Sequence, residues 1–302
     1  MRFDAIGFGA LNVDKLYRVD KIAEIGEERY ITGCVEALGG SAANTVVGLA
    51  RLENSVGYIG KVGGDREGEV LLHSFVAEQV DTTGVIVASS ERSGVVIGFV
   101  DRRGERTLYV DPGANDSLDL EEINGDYVND ARFLHLTSFV GEKPFEAQRK
   151  LVQIHPEIRV SFDPGELYAR RGLAALRPLL RRSFIVFPNE KELRLLTGKS
   201  CEDGAKRLIE EGVTIVAVKL GKRGCYVTDG KEKFQVEAFK VKVVDTTGAG
   251  DAFCAGFLHG ILSGRDLYAC GRIANFVASN KIKKPGARDG LPRLKDLTKL
   301  SK

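Results

Sequence analysis

The chain has 302 residues, 43% hydrophobic and 28% charged, with 35 glycines and a formal net charge of +2. That is the composition of an ordinary soluble globular protein, long enough for one large α/β domain or two smaller ones. Near-neutral charge argues against nucleic acid as an obligatory partner. No apolar leader follows Met1 and no window approaches ~18 uninterrupted apolar residues, so neither secretion nor a membrane is expected.

FDAIGFG (3–9) reads as the first strand, and LYRV (16–19) and RYITGCVEAL (29–38) supply further ones. Ser41 can cap a helix over residues 42–52. VGYIGKV (56–62) is a strand, followed by the helical pattern EGEVLLHSFVAEQV. There Leu72, Val76 and Val80 recur at i, i+4 and i+8, with Leu71 and Phe75 beside them. SGVVIGFV (93–100), the polar turn DRRGE and RTLYVD (106–111) read as a β-hairpin. Val95, Ile97 and Phe99 share a face of that hairpin, as do Leu108 and Val110 on its second strand. RFLHLTS (132–138), RVSFDP (159–164), FIVFP (184–188) and VTIVAVKL (213–220) are strands, and EDGAKRLIEEG (202–212) is a helix stopped by its glycine.

Near-continuous apolar strands alternating with helices predict an α/β fold, a mostly parallel sheet covered on both faces, as a single domain over 1–302. The strands drawn from about 12–37 and 93–111 break that rhythm. They form either a lid over a site or a decorative small sheet. The basic tail from Lys281, KIKKPGARDG and then RLKDLTKLSK, reads as solvated surface rather than as a phosphate-binding arm. Cys34, Cys201, Cys225, Cys254 and Cys270 form no CxxC pair and have no histidine at zinc spacing, the pattern of reduced thiols in a cytoplasm.

Five stretches carry candidate chemistry. In VVDTTGAGDAFCAGF (243–257), Phe253, Phe257 and Ile261 share a helical face, so a helix begins near Asp251. Gly248, Ala249 and Gly250 at its mouth can offer backbone N–H groups to a phosphate. Asp251 then reads either as a helix cap or as the base that takes a proton from an attacking hydroxyl. In EALGGSAANTVVGLARL (36–52), Gly39, Gly40 and Asn44 suit a hydroxyl-rich ligand, or merely make a tight strand–helix turn. In GALNVDKLY (9–17), Asn12 and Asp14 share a strand face and can hold a diol. The same region begins like a dinucleotide fingerprint, but Asn12 stands at the third glycine and no helix follows. In FPNEKELRLLTG (187–198), Asn189 and Glu192 can order the water shell of a Mg²⁺, or form a cap with a first-turn acid. In VKLGKRGCYVTDG (218–230), Gly221 and Gly224 allow backbone to approach a nucleotide while Lys219 or Lys222 meets phosphate; a plain hairpin turn is the alternative.

Taken in order, these stretches resemble the ribokinase-like (pfkB) family of carbohydrate and nucleoside kinases, over about residues 4–292. DTTGAGDAFCAGFL (245–258) carries most of the resemblance, with GGSAAN, NEKE, KLGKRG and PGARDGLP following the family's order and spacing. The resemblance implies a Rossmann-like parallel sheet with a small β-sheet lid, and transfer of the γ-phosphate of ATP to a hydroxyl of a small sugar, as in ribokinase, fructokinase and ketodeoxygluconate kinase. A nucleoside or a phosphorylated sugar is the alternative acceptor. It implies Asp251 as base, with Gly248, Ala249 and Gly250 as anion hole. Asn12, Asp14, Gly39, Gly40 and Asn44 would hold the acceptor. Asn189, Lys219, Gly221, Gly224, Thr246 and Asn275 would line the nucleotide cleft, with Glu192 reaching Mg²⁺ through water. A K⁺ beside the anion hole would sit among Asp245, Thr247, Lys284, Gly286 and Gly290, and a homodimer through the lid is a further expectation. Tyr17, Tyr30, Phe99 and Tyr109 would stack on a nucleoside base, whereas Arg29, Arg102, Arg103 and Arg106 would meet a second phosphate. Val46 and Glu53 depart from the family's N-terminal signature, and Asn54 is expected to take the left-handed position after that helix. A catalytically silent ligand sensor on the same fold is the rival outside enzymes.

Overall fold

Apolar runs without alternation must be covered on both faces, and here they pair into one nine-stranded sheet. The computed structural model describes residues 1–103 and 105–301. Its strands are β1 (Phe3–Phe8), β2 (Asn12–Val19), β3 (Ile31–Gly39), β4 (Val56–Gly63), β5 (Val85–Ala88), β6 (Gly94–Val100), β7 (Arg106–Asp111), β8 (Ala131–Thr137), β9 (Arg159–Asp163), β10 (Ser183–Val186), β11 (Ile215–Lys219), β12 (Cys225–Thr228) and β13 (Lys233–Val236). Its α-helices are α1 (Ser41–Arg51), α2 (Arg66–Ala77), α3 (Gly125–Asn129), α4 (Glu142–Ile154), α5 (Gly165–Ala169), α6 (Gly172–Leu180), α7 (Glu190–Thr197), α8 (Cys201–Glu210), α9 (Ala249–Leu262) and α10 (Leu267–Lys281). The large sheet runs β13-β12-β11-β10-β9-β8-β1-β4-β5. It is parallel from β11 through β5, with β12 and β13 added antiparallel at one edge.

One face of this sheet packs Leu134, Leu136, Phe145, Tyr168 and Leu208. The other packs Val46, Leu49, Phe75, Phe187, Phe257 and Val277. α9 is buried from Ala252 to Leu258, which its nearly all-apolar sequence requires. Parallel order puts the ends of β8, β9 and β11 at one rim, so Thr137, Asp163 and Lys219 stand together where ligands bind such sheets. No helix among the described residues is long and apolar enough to cross a membrane.

The remaining strands form a second sheet, β3-β2-β6-β7. β2 pairs antiparallel with β3 and parallel with β6, and β6 pairs antiparallel with β7. Register sets Asn12 against Gly39 and Gly94, and Asp14 against Val96, which lies against Val110. Gly104, in the DRRGE turn, lies outside the described residues.

Several local expectations are corrected. Gly40, not Ser41, is the N-cap of α1: its φ of 99° suits glycine, and a Cβ there would stand 2.2 Å from the Ala10 carbonyl. α9 starts at Ala249, capped by Gly248 at φ 73°, so Asp251 is its third residue and its carboxylate makes no cap. The buried stripe of α2 is Leu71 and Phe75, while Val76 is 64% exposed and Val80 lies beyond the helix end. After α1, Glu53 takes the left-handed position at φ 62°, and Asn54 instead donates from Nδ2 to the Leu49 and Leu52 carbonyls. Val46 fits because Gly7 faces it: a Cβ on Gly7 would be 2.7 Å from Val46 Cγ1. The tail from Lys281 is not all solvated surface, since Lys281 and Arg288 are buried.

Candidate active site

Two cavities meet at the mouth of α9. The larger, about 750 Å³, is lined by Asp163, Asn189, Glu192, Lys219, Gly221, Gly224 and Asn275. The smaller, about 430 Å³, is lined by Asn12, Asp14, Gly39, Gly40, Asn44, Asn115 and Gly248. They share Ser41, Ser138, Thr246, Ala249, Gly250 and Asp251. A group held in one can therefore meet a group held in the other beside Asp251 and the glycine turn.

Asp251 is fixed from the opposite helix. Asn44, in the first turn of α1, donates from Nδ2 to Asp251 Oδ2 at 2.8 Å, and the Ser41 hydroxyl also reaches the carboxylate. Burial pushes the Asp251 carboxyl up to about 6, against the pull of those donors, with Asp163 pushing the same way. Such a carboxylate is ionised at neutral pH yet basic enough to accept a proton. Asp14 is likewise pushed up to about 6 by burial, against the attraction of Arg288.

One of the three N–H groups that the sequence offers at the turn before α9 is already engaged. The Ala249 N–H already donates to the Thr246 carbonyl at 3.1 Å. Gly250 and Asp251 follow with N–H groups that the helix itself does not satisfy. Gly248 permits the tight bend, and a Cβ there would stand 2.9 Å from Ala287.

In the larger cavity Lys219 Nζ donates to Asp163 Oδ2 at 2.6 Å. Burial alone would lower the Lys219 ammonium, but Asp163, Cys254 and Glu192 together raise it, so it stays charged. Asn189 and Glu192 form a reciprocal capping box: Glu192 N donates to Asn189 Oδ1, while Asn189 N and Nδ2 donate to the Glu192 carboxylate at 2.7 Å each. Glu192 is buried, which raises its pKa, and it still faces the cavity. Asn275 donates from Nδ2 to the Val236 and Glu237 carbonyls, so it braces the cavity wall. No group of three or more His, Cys, Asp or Glu residues placed to hold a metal occurs among the described residues. A Mg²⁺ that keeps most of its waters and binds chiefly through phosphate oxygens fits Asp163 and Glu192 here.

Of the residues expected around a K⁺, Asp245, Thr247 and Gly286 come together through the Asp245 carboxylate. Of that set, Thr247 lines the smaller of the two cavities described above, and the other four line neither. The Asp245 carboxylate accepts from Thr247 N, Thr247 Oγ1 and Gly286 N, and the Asp245 carbonyl accepts from Lys281 Nζ. Nor do the proposed base-stacking rings face the smaller cavity. Asp14, Val96 and Val110 line it, and strand alternation puts Tyr17, Phe99 and Tyr109 on the other face, where Tyr17 and Phe99 stack on each other. Tyr30, outside that cavity's lining, is 87% exposed. Arg29 pairs with Glu27, Arg103 pairs with Asp101, and Arg102 lies outside the lining; the Arg106 side chain is outside the described residues.

Asp163, Asn115 and Arg288 escaped the sequence reading, and Ser41, expected only as a cap, lines both cavities. An acid closing an apolar strand before Pro-Gly, as in SFDPG, is the signal for Asp163. Asn115 ties the lid to the sheet, accepting from Leu11 N and donating to the Leu11 carbonyl and Asn12 Oδ1. Arg288 donates from Nε to Asn44 Oδ1 at 2.8 Å, a long-range contact with no sequence signature.

Known proteins resemble this chain in sequence and in fold. The family model described as pfkB family carbohydrate kinase matches residues 5–294. An uncharacterized sugar kinase of Archaeoglobus fulgidus is 46% identical over 253 residues, 83% of this chain and 100% of that one. A ribokinase of Staphylococcus aureus is 28% identical over 97% of each chain. The crystal structure of a ribokinase from Thermotoga maritima superposes with a TM-score of 0.90 at 26% identity, covering 99% of both chains.

Proposed function

The chain belongs to the pfkB family of carbohydrate kinases, and from that premise we propose that it moves the γ-phosphate of ATP onto a hydroxyl of a small neutral sugar. The observation that carries this is Asp251: a carboxylate with a raised pKa, held by Asn44, where two cavities meet.

ATP would lie in the larger cavity, with Lys219 near its phosphates and the Gly250 and Asp251 N–H groups facing the γ-phosphate. Mg²⁺, when bound, supplies charge neutralisation across the phosphates, with Asp163 and Glu192 holding its waters. The acceptor would sit in the smaller cavity against Asn12, Asp14 and Asn44. Its hydroxyl gives its proton to Asp251 as the oxygen bonds to the γ-phosphorus. The bond from that phosphorus to the β–γ bridging oxygen breaks, and ADP leaves with its electron pair.

A neutral acceptor is favoured because the smaller cavity contains Asp14, Asp116 and Asp251 and, among its described lining residues, no lysine or arginine. A sugar phosphate or sugar acid would bring a second anion against three carboxyls. A nucleoside would find no aromatic ring in that lining. The lid exposes Val35, Leu108 and Val110 and leaves β3 and β7 as free edges, which supports pairing with a second copy. The free cysteines fit a reducing, cytoplasmic setting.

Coupled ADP release with Mg²⁺–ATP tests the reading across ribose, fructose, 2-keto-3-deoxygluconate, ribose 1-phosphate, adenosine, inosine and cytidine. Turnover on a neutral sugar, lost in Asp251→Asn, supports it. Turnover confined to nucleosides or charged acceptors overturns the acceptor class and leaves the transfer chemistry standing. Sedimentation velocity reads the dimer.

A further inference from the structure

We propose that the Lys281 ammonium is a built-in monovalent cation for the turn carrying Asp251, so that this chain needs no bound K⁺. The inference rests on the kinase reading above, but its test does not rest on activity alone.

Lys281 closes α10 and is 0% exposed. Its Nζ donates to the Asp245 carbonyl at 2.9 Å, at the start of the 245–250 turn. Two other buried or nearly buried lysines, Lys61 and Lys219, are paired with Glu122 and Asp163. Lys281 instead spends its charge on a main-chain carbonyl, and burial lowers its pKa against the fields of Asp245, Asp251 and Asp289. Burying an ammonium this way costs several kcal/mol, a cost hard to explain for a residue that only fills space.

Several oxygens around the ammonium already have other donors. Asp245 Oδ1 accepts from Thr247 N and Oγ1, and Oδ2 accepts from Gly286 N. The Ile282 carbonyl accepts from Val244 N and Asp245 N. The Lys281 carbonyl accepts from Lys284 N, and a Cβ on Gly290 would stand 2.2 Å from it. The Asp245 oxygens and the Lys281 and Ile282 carbonyls beside the turn thus already have N–H donors or the ammonium as partners. An ammonium and a potassium ion hold carbonyl oxygens at similar distances, so Lys281 can supply the same charge at the same oxygen. That charge lies behind the helix mouth where negative charge develops on the transferring phosphate.

The test is ADP release in KCl, NaCl and tetramethylammonium chloride at equal ionic strength. The native chain should turn over at the same rate in all three, within about twofold. Lys281→Ala should lose on the order of 10- to 100-fold in tetramethylammonium chloride and regain activity in KCl or NH₄Cl. About tenfold stimulation of the native chain by K⁺, or a Lys281→Ala variant with unchanged turnover in every salt, overturns the proposal. If no acceptor is turned over, thermal unfolding of the unliganded chain decides instead. The native protein should show no K⁺-specific gain in Tm over tetramethylammonium, and a K⁺-specific gain refutes the built-in cation whatever becomes of the kinase reading. The native-chain measurements stand even where the variant fails to fold.

Discussion

Asp251 should be a place where stability has been given up for chemistry, and Asp251→Asn measures how much. Burial holds this carboxyl near 6 instead of 3.8, which corresponds to about 3 kcal/mol of unfavourable ionisation in the fold. The residue keeps part of its surface open to the cavities, so solvent screening trims that to roughly 2 kcal/mol. Because the folded pKa is raised, the protonated form is the one the fold favours. This group's stabilising contribution is therefore full below 3.8, fades as pH rises toward 6, and is absent at pH 8. Asparagine removes the ionisation while its carbonyl still accepts from Asn44, at a cost of about 0.5 kcal/mol for the weaker bond. The net gain is about 1–2 kcal/mol at pH 8, or about 2–4 °C in Tm. Scanning calorimetry at pH 8 and pH 5 should show that gain shrinking toward zero at the lower pH, while turnover falls on the order of 10²- to 10⁴-fold at both. An inactive variant that melts at or below the native temperature at pH 8 would refute the burial argument. A stabilised variant with near-normal turnover would refute the assignment of the base.

The acid limb of kcat/KM should fall as pH drops through about 6, because Asp14 and Asp251 both sit there and both must be ionised. Its limiting slope should exceed one, and Asp14→Asn should return it to one at reduced acceptor affinity; an acid limb near 4 in the native profile refutes the shifts. Lys219→Met strands Asp163 without its partner and should destabilise the chain by roughly 3 kcal/mol. It should also weaken ATP binding by calorimetry, and unchanged nucleotide affinity would remove Lys219 from the nucleotide site. Arg288→Met frees the Asn44 amide that orients Asp251. It should lower kcat about tenfold with little effect on ATP affinity, and a variant that changes only Tm would make Arg288 a packing residue.

The parts of the fold that repeat a local rule were open to sequence reading. The strands from FDAIGFG to VTIVAVKL are apolar runs, and apolar runs between helices have few other places to go. The lid hairpin carried its own alternation and turn. β5, β12 and β13 were harder, being four residues each, too short for a period to register. Helix starts were misplaced at α1 and α9 because glycine capped both through positive φ, where the polar residues nearby suggested ordinary caps. Candidate ligands on one stretch were legible as pairs, such as Asn12 with Asp14. Contacts across the sheet were not: Asp163 meets Lys219 and Arg288 meets Asn44 only after folding, 56 and 244 positions apart.

Arg288 and Lys281 share a cause. The segment from Lys281 to Leu291 looks like a charged tail, yet it braces the 245–250 turn. Lys281 holds the Asp245 carbonyl, Gly286 holds the Asp245 carboxylate, and Ala287 packs under Gly248. Arg288 then crosses to Asn44, and its backbone carbonyl accepts from Arg51 at the far end of α1. The same eleven positions thus fix Asp251 from both sides, through its own turn and through the helix opposite. Hydropathy assigns such a segment to solvent because it scores each cation alone, without the carbonyls and amides that satisfy them. The physical expectation is a cooperative one. Lys281→Ala and Arg288→Met should be less than additive in turnover, since each loosens the same carboxylate, whereas either combined with a lid substitution should add independently.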